Sequence, residues 1–73
     1  MPVAPKIYRI VGEAIRIRRK KARLSQEKLA EKADLTLNYI GQVERAEKKI
    51  TLETLWRIAK ALKVRVRDLV RDI

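Results

Sequence analysis

The 73-residue chain carries 19 Lys and Arg against nine Asp and Glu, a formal net charge of +10, with no cysteine and no histidine. This length allows one small domain, which buries only about 60% of the surface that its unfolded chain exposes. Without thiols or imidazoles, disulfides and the usual transition-metal sites are excluded, and no metal or cofactor is expected. No apolar run reaches membrane-spanning length and no signal peptide is recognisable, which favours a cytoplasmic protein without a membrane partner.

The positive excess exceeds what solubility requires in so small a domain, and it favours polyanions as partners. Adaptation to high temperature is the competing explanation, because abundant Lys and Arg without cysteine also suit a heat-tolerant protein. The two explanations are compatible.

The first 22 residues are predicted to form an arm followed by a helix. Residues 1–6, MPVAPK, contain both prolines and lack periodicity, so they are expected to form a flexible arm before a domain at residues 7–73. Gly12 weakens the following helix by about 1 kcal/mol relative to alanine, which indicates close packing or close backbone approach. A three-four apolar rhythm predicts this helix from about residue 7 to Ala22: Ile7, Ile10, Val11, Ala14 and Ile15.

Residues 25–45, SQEKLAEKADLTLNYIGQVER, predict two short helices that pack as a helix-turn-helix. Leu29 and Ala33 form an apolar stripe on the first helix, and Ile40 and Val43 form one on the second. Such stripes can pack on each other. Ala30 is small enough to let the second helix cross the first closely and steeply.

Side-chain caps are expected at both helices of this motif. Ser25 is predicted to cap the first helix. Thr36 is predicted to cap the second by accepting a hydrogen bond from the backbone N–H of Asn38 or Tyr39, so that the helix starts at Leu37.

The outer face of the second helix has the residue types that read base edges. Asn38, Gln42 and Arg45 fall on one side, opposite the apolar stripe. Asn and Gln fit adenine N6 and N7, while Arg can fork onto guanine O6 and N7 or grip a phosphate. A merely solvated face would show the same spacing, but the net charge favours DNA. The predicted base-contacting residues are Leu37, Asn38, Tyr39, Gln42 and Arg45.

Basic residues and a helix N-terminus are expected to contact the DNA backbone. Residues 16–23, RIRRKKAR, contain six positive charges and no negative one, although most such runs are solvated faces. The N-terminus of the second helix can bind a phosphate through its exposed N–H groups and its dipole. The predicted phosphate-contacting residues are Arg16, Lys20, Lys21, Arg23, Ser25, Gln26, Lys48 and Lys49.

Two further helices are predicted after the motif. Thr51 is expected to cap a fourth helix with a core-facing stripe of Leu52, Leu55, Ile58, Ala59 and Leu62. A short fifth helix carries another apolar stripe, which is predicted to join a homodimer; capping of the core is the open alternative. The stripe consists of Val66, Leu69, Val70 and Ile73.

The chain resembles the phage-repressor and Cro-like helix-turn-helix family at Gln26, Leu29, Ala30, Ala33, Ile40, Val43 and Glu44. ITLETLWRIAKALKV at 50–64 resembles the fourth helix and turn of that family, so the similarity covers roughly residues 10–70. The NYIGQVER and KKITLETL segments are similar to controller proteins of restriction-modification systems. The resemblance implies an all-α, five-helix lambda-repressor-like domain with the helix-turn-helix at helices 2 and 3. It also implies a sequence-specific regulator of transcription that binds double-stranded DNA. With the homodimer predicted from the C-terminal stripe, two-fold symmetry predicts a palindromic operator.

Two details of the resemblance concern structure. An ion pair between Arg19 and Glu44 is implied, linking the first helix to the recognition helix. The family usually has glycine at four turns where this chain has Arg23, Asp34, Ala46 and Lys63. A positive φ is expected to be easiest for Asp34 and hardest for Ala46.

Three other classes of function compete with this reading. An enzyme is disfavoured, since the chain has no histidine, cysteine, glycine-rich phosphate loop or nucleophile and base pair, and no small-molecule ligand is evident. A protein-binding regulator such as an antitoxin can use the same fold. Sequence-blind nucleic-acid binding by charge, to RNA among others, would leave Asn38 and Gln42 without a role.

Overall fold

The computed structural model describes residues 5–73, which form five helices and no strand. The helices are α1 (Lys6–Lys21), α2 (Gln26–Ala33), α3 (Leu37–Glu44), α4 (Leu52–Leu62) and α5 (Val66–Val70). The predicted all-α, five-helix fold is therefore confirmed. Residues 1–4, most of the predicted arm, lie outside the described residues, whereas Lys6 already begins α1. Within residues 5–73, no helix combines the length and apolarity that crossing a bilayer requires.

The core draws one fully buried side chain from each helix. All five belong to the apolar stripes predicted from the sequence, and each has less than 2% of its surface exposed. They are Ile15, Leu29, Ile40, Ile58 and Leu69. Burying a side chain of this size contributes about 1.5 to 3 kcal/mol to the stability of the fold. Each helix is therefore held in place by packing into one common core. Leu69 therefore belongs to the core of the single chain. Its assignment to a dimer surface is corrected, because it has no exposed area to offer a partner.

Three helices begin at the side-chain caps that the sequence predicted. Ser25 Oγ accepts a hydrogen bond from the N–H of Lys28 at 2.9 Å, and Thr36 Oγ1 accepts one from Tyr39 at 3.0 Å. Thr51 Oγ1 accepts from the N–H of Thr54 at 3.1 Å. These bonds satisfy donors that the first turn of a helix leaves unpaired, and they fix where α2, α3 and α4 start.

The turns after α1, α2, α3 and α4 are left-handed without a single glycine. Their φ angles lie between 59° and 62°, at the four positions where the family usually has glycine: Arg23, Asp34, Ala46 and Lys63. In each turn the following N–H returns to a carbonyl five residues earlier, as Glu47 does to Gln42 at 2.7 Å. This hydrogen bond closes the helix end and holds the backbone in a conformation that an L-residue adopts at some cost.

Gly12 lies where α1 crosses the end of α3. A Cβ atom there would collide with the backbone carbonyl oxygen of Val43 and would stand 3.0 Å from that of Glu44. The sequence offered close packing or close backbone approach as the reason for a glycine within this helix, and the structure shows that it is close backbone approach. Gly41 differs, because its nearest neighbour would be the flexible side chain of Arg45 at 3.1 Å.

Candidate nucleic-acid interface

The outer face of α3 presents the predicted base-contacting residues at different depths. Leu37, Asn38 and Arg45 are exposed, whereas Tyr39 and Gln42 are half-buried. Within residues 5–73, the side-chain amides of Asn38 and Gln42 have no hydrogen-bond partner, so their donors and acceptors face solvent unused. A paired donor and acceptor on the outer face of a helix is the arrangement that adenine recognition requires.

A buried ion pair holds α3 against α1. Arg19 Nε donates to Glu44 Oε2 at 2.7 Å and Arg19 Nη2 donates to Oε1 at 3.1 Å, while Nη1 donates to the carbonyl of Leu24 at 2.9 Å. Only 2% of the Glu44 side chain is exposed. The structure thus brings together the two residues for which the resemblance implied a pair, with a fork-to-fork geometry that fixes the orientation of α3.

Gln26 extends this network to α2. Its Nε2 donates to Glu44 Oε1 at 2.9 Å, so three helices share one carboxylate. Gln26 was predicted to contact phosphate, and sequence reasoning missed this hydrogen bond. One amide hydrogen is committed to Glu44, which leaves the second amide hydrogen and the backbone N–H groups of α2 for an anion.

The remaining predicted phosphate contacts fall into two groups. Ser25 is engaged in capping α2, and Arg16 donates to Glu13 through Nε at 3.1 Å and Nη2 at 2.9 Å. This hydrogen bond holds the pKa of Glu13 below its usual value. The other five side chains are exposed, near the end of α1 or after α3: Lys20, Lys21, Arg23, Lys48 and Lys49.

A second acidic residue lies beside the recognition helix and was not singled out from the sequence. Arg45 Nε donates to Glu47 Oε2 at 2.9 Å and Arg45 Nη2 donates to Oε1 at 3.2 Å. The hydrogen bond from Arg45 lowers the pKa of Glu47 below its usual value and so favours the charged carboxylate. The only sequence signal was an isolated acidic residue between Arg45 and the Lys48–Lys49 pair.

An apolar groove opens on the side formed by α1, α4 and α5. Leu52 is 74% exposed and Ile73 is 58% exposed at its rim, with Ile7 at 42%. Val70 lines the groove, and Val66 is half-buried against the core. Leu52 was predicted to face the core, but most of its side chain is exposed at this rim.

Known proteins match this chain over most of its length. A family model described as helix-turn-helix matches residues 15–69. Control protein C.SmaI of Serratia marcescens is 47% identical over 64 residues, covering 88% of this chain and 76% of that protein. Control protein C.BamHI of Bacillus amyloliquefaciens is 40% identical over 62 residues, covering 84% and 76% respectively. The crystal structure of the restriction-modification controller protein C.AhdI from Aeromonas hydrophila matches with a TM-score of 0.86 and 32% identity, covering 89% of this chain and 98% of that one.

The matched segment runs from within α1 into α5. It includes both helices of the motif and the Arg19–Glu44 pair that joins α3 to α1. The resemblance seen in the sequence is confirmed by the family match and by the control proteins among the relatives. The chain belongs to the helix-turn-helix family of DNA-binding transcriptional regulators, which are not enzymes.

Proposed function

We propose that the protein regulates transcription by inserting α3 into the major groove of an operator, where Asn38 and Gln42 read base edges. The observation that carries this proposal is the pair of unpartnered amides on the exposed face of a helix that a buried ion pair holds in place. Leu37, Tyr39 and Arg45 complete the reading face. The similarity to bacterial control proteins supports a controller of restriction-modification genes as the biological setting.

Contacts to the sugar-phosphate backbone would position the domain without reading sequence. We assign them to the exposed lysines and arginine at the end of α1 and after α3, together with the N-terminus of α2 at Ser25 and Gln26. Arg16 joins them once a phosphate competes with Glu13 for its guanidinium. A net charge of +10 supports such backbone contacts, because cationic side chains that bind phosphates release the counterions that surround DNA.

Replacing the reading amides should relax base preference, whereas replacing backbone contacts should not. Asn38→Ala and Gln42→Ala are each expected to cost roughly 1 to 3 kcal/mol at particular base pairs, because a bidentate contact is lost there. Lys20→Ala and Lys21→Ala are the controls, and they should weaken binding to all duplexes alike. The measurement is binding to a duplex selected from a random pool and to its scrambled counterpart. Equal losses on both duplexes in the Asn38 and Gln42 variants would remove readout from the proposal.

We further propose that a second copy of the chain covers the apolar groove. Leu52, Ile73 and Ile7 leave more apolar surface than a domain of this size needs, and a homodimer would add stability that its small core lacks. Two recognition helices related by a two-fold axis can enter major grooves about 34 to 36 Å apart on a palindromic site. Val70 and Ile73 of the predicted interface line this groove, whereas Val66 does not line it and Leu69 is fully buried.

Charges placed at the rim of the groove should separate the dimer. Leu52→Glu and Ile73→Glu are expected to shift sedimentation from dimer to monomer while helical content survives, because both side chains are largely exposed in the single chain. Ile17→Glu is the matched control, since Ile17 is 45% exposed on α1 and does not line the groove. A parent protein that sediments as a monomer at tens of micromolar, free and on its selected duplex, would reject the dimer.

A further inference from the structure

We propose that Glu47 is a specificity-determining residue that holds the guanidinium of Arg45 in position to read a guanine. Glu47 would not itself touch a base; it would act through Arg45. The role rests on the proposed function, because it requires α3 to lie in the major groove of DNA.

The turn that carries Glu47 differs from the three comparable turns. After α1, α2 and α4, the residue whose N–H closes the helix end is apolar and packs partly against the core: Leu24, Leu35 and Val64. Such an apolar contact commonly accompanies this type of helix end. After α3 the same place is taken by Glu47, which is exposed. Closing the helix therefore does not explain a carboxylate at this position.

The same turn fixes where Glu47 points. Ala46 adopts a φ of 62°, its N–H bonds to Val43 at 3.0 Å, and the N–H of Glu47 bonds to Gln42 at 2.7 Å. The chain thereby folds back over the end of α3, and Glu47 meets Arg45 two residues earlier. Two hydrogen bonds hold the backbone of the turn and so place the Cα of Glu47 close to Arg45. The two hydrogen bonds from the guanidinium then orient the carboxylate.

The hydrogen bonds of Arg45 leave its guanine-reading end open. Glu47 accepts from Nε and Nη2, along one edge of the planar guanidinium. Guanine O6 and N7 accept from the two terminal nitrogens, and Nη2 has a second hydrogen for that purpose. One carboxylate can therefore fix the plane of the guanidinium. Within residues 5–73, Nη1 and one hydrogen of Nη2 then remain without a hydrogen-bond partner.

The head of Arg45 lies on the face of the domain that is proposed to meet DNA. Its Nη1 is 3.1 Å from the position that a Cβ on Gly41 would occupy, and Gln26 Oε1 is 3.7 Å from the same position. The guanidinium thus lies beside Gly41 of α3, on the side of this residue that also faces Gln26 at the N-terminus of α2. A larger residue than glycine at position 41 would crowd this arrangement.

The charge of Glu47 would also weaken binding to duplexes that lack the guanine. On a duplex that offers no guanine, Glu47 competes with the phosphates for the guanidinium of Arg45. The carboxylate itself repels the phosphates. Specific recognition commonly combines an attractive contact with a repulsive element against the wrong partner, and Glu47 would supply both through one side chain.

The experiment compares Glu47→Gln with the parent protein on a duplex selected from a random pool and on its scrambled counterpart. Glutamine keeps the size of the side chain and removes its charge, so the fold should be unaffected. The ratio of selected to random affinity should fall by about five- to tenfold, since an incompletely oriented arginine loses part of its bidentate discrimination. Base preference should relax at the same single position that Arg45→Ala relaxes. In the Arg45→Ala background, Glu47→Gln should no longer change the ratio.

Glu13→Gln is the matched control. Glu13 holds Arg16 through the same Nε and Nη2 pair at 3.1 and 2.9 Å, and its replacement changes the net charge equally. Both affinities should rise together in this variant, with their ratio unchanged. The role of Glu47 is overturned if Glu47→Gln behaves as Glu13→Gln does, or if its effect persists without Arg45. A parent protein that selects no preferred sequence would instead overturn the proposed function.

Discussion

Replacing Glu44 by alanine should lower the free energy of unfolding by about 3 to 5 kcal/mol, because it would leave the Arg19 guanidinium buried without its counterion. Arg19 is 8% exposed, and its remaining partner would be the carbonyl of Leu24. Gln26 would lose its acceptor as well. A domain of this size has about 5 to 15 kcal/mol of stability in all, so the variant should melt far below the parent protein.

The measurement is the thermal midpoint together with unfolding by urea. Glu13→Ala is the control, since Glu13 forms an arginine pair of similar geometry on the surface of α1, where solvent screens the charges. Its midpoint should match that of the parent protein. A Glu44→Ala variant with an unchanged midpoint would mean that the carboxylate contributes nothing to holding α3, and the rigid placement of the reading face would lose its basis.

The fold could be predicted from the sequence because burial leaves a regular mark on a helix. The three-four stripes identified all five helices, and the threonine and serine caps identified three of their starts. Only small differences remained, such as α1 ending at Lys21 rather than Ala22. The stripe could not show how far each packed face extends, which is why Leu52 was expected in the core and is 74% exposed.

The limits of the sequence are clearest where side chains meet across helices or turns. An apolar residue in a terminal helix can face the core or a partner, and only the packing of α5 against α1 and α4 decided that Leu69 faces the core. The Arg45–Glu47 contact depends on a positive φ at Ala46, the turn residue expected to adopt it least readily. Periodicity carries no information about either feature, because both depend on where the backbone turns between elements.

Raising the salt concentration from 50 to 200 mM should release the protein from duplex DNA, with affinity falling by about 10³ to 10⁵ if six to ten phosphates are neutralised. The five exposed cationic residues at the two ends of the α2–α3 motif, together with Arg16, give six such contacts in one chain, and a second chain would add to them. Binding to the selected duplex should show the same salt dependence, because its phosphate contacts are the same. Its additional base contacts should change much less with salt. Binding that is insensitive to salt would mean that the positive charge serves solubility or heat tolerance and not DNA.

The slope of this dependence identifies which cations take part. Lys20→Ala should reduce the slope of log affinity against log salt by about 1, because one phosphate contact is removed. Lys60→Ala is the matched control, since Lys60 lies on α4, with its Nζ 4.4 Å from the centroid of the Trp56 ring, and is not among the residues assigned to phosphate contacts. It removes the same charge and should leave the slope unchanged. If both variants reduce the slope equally, the protein attracts DNA through its overall charge and the assigned phosphate contacts are wrong.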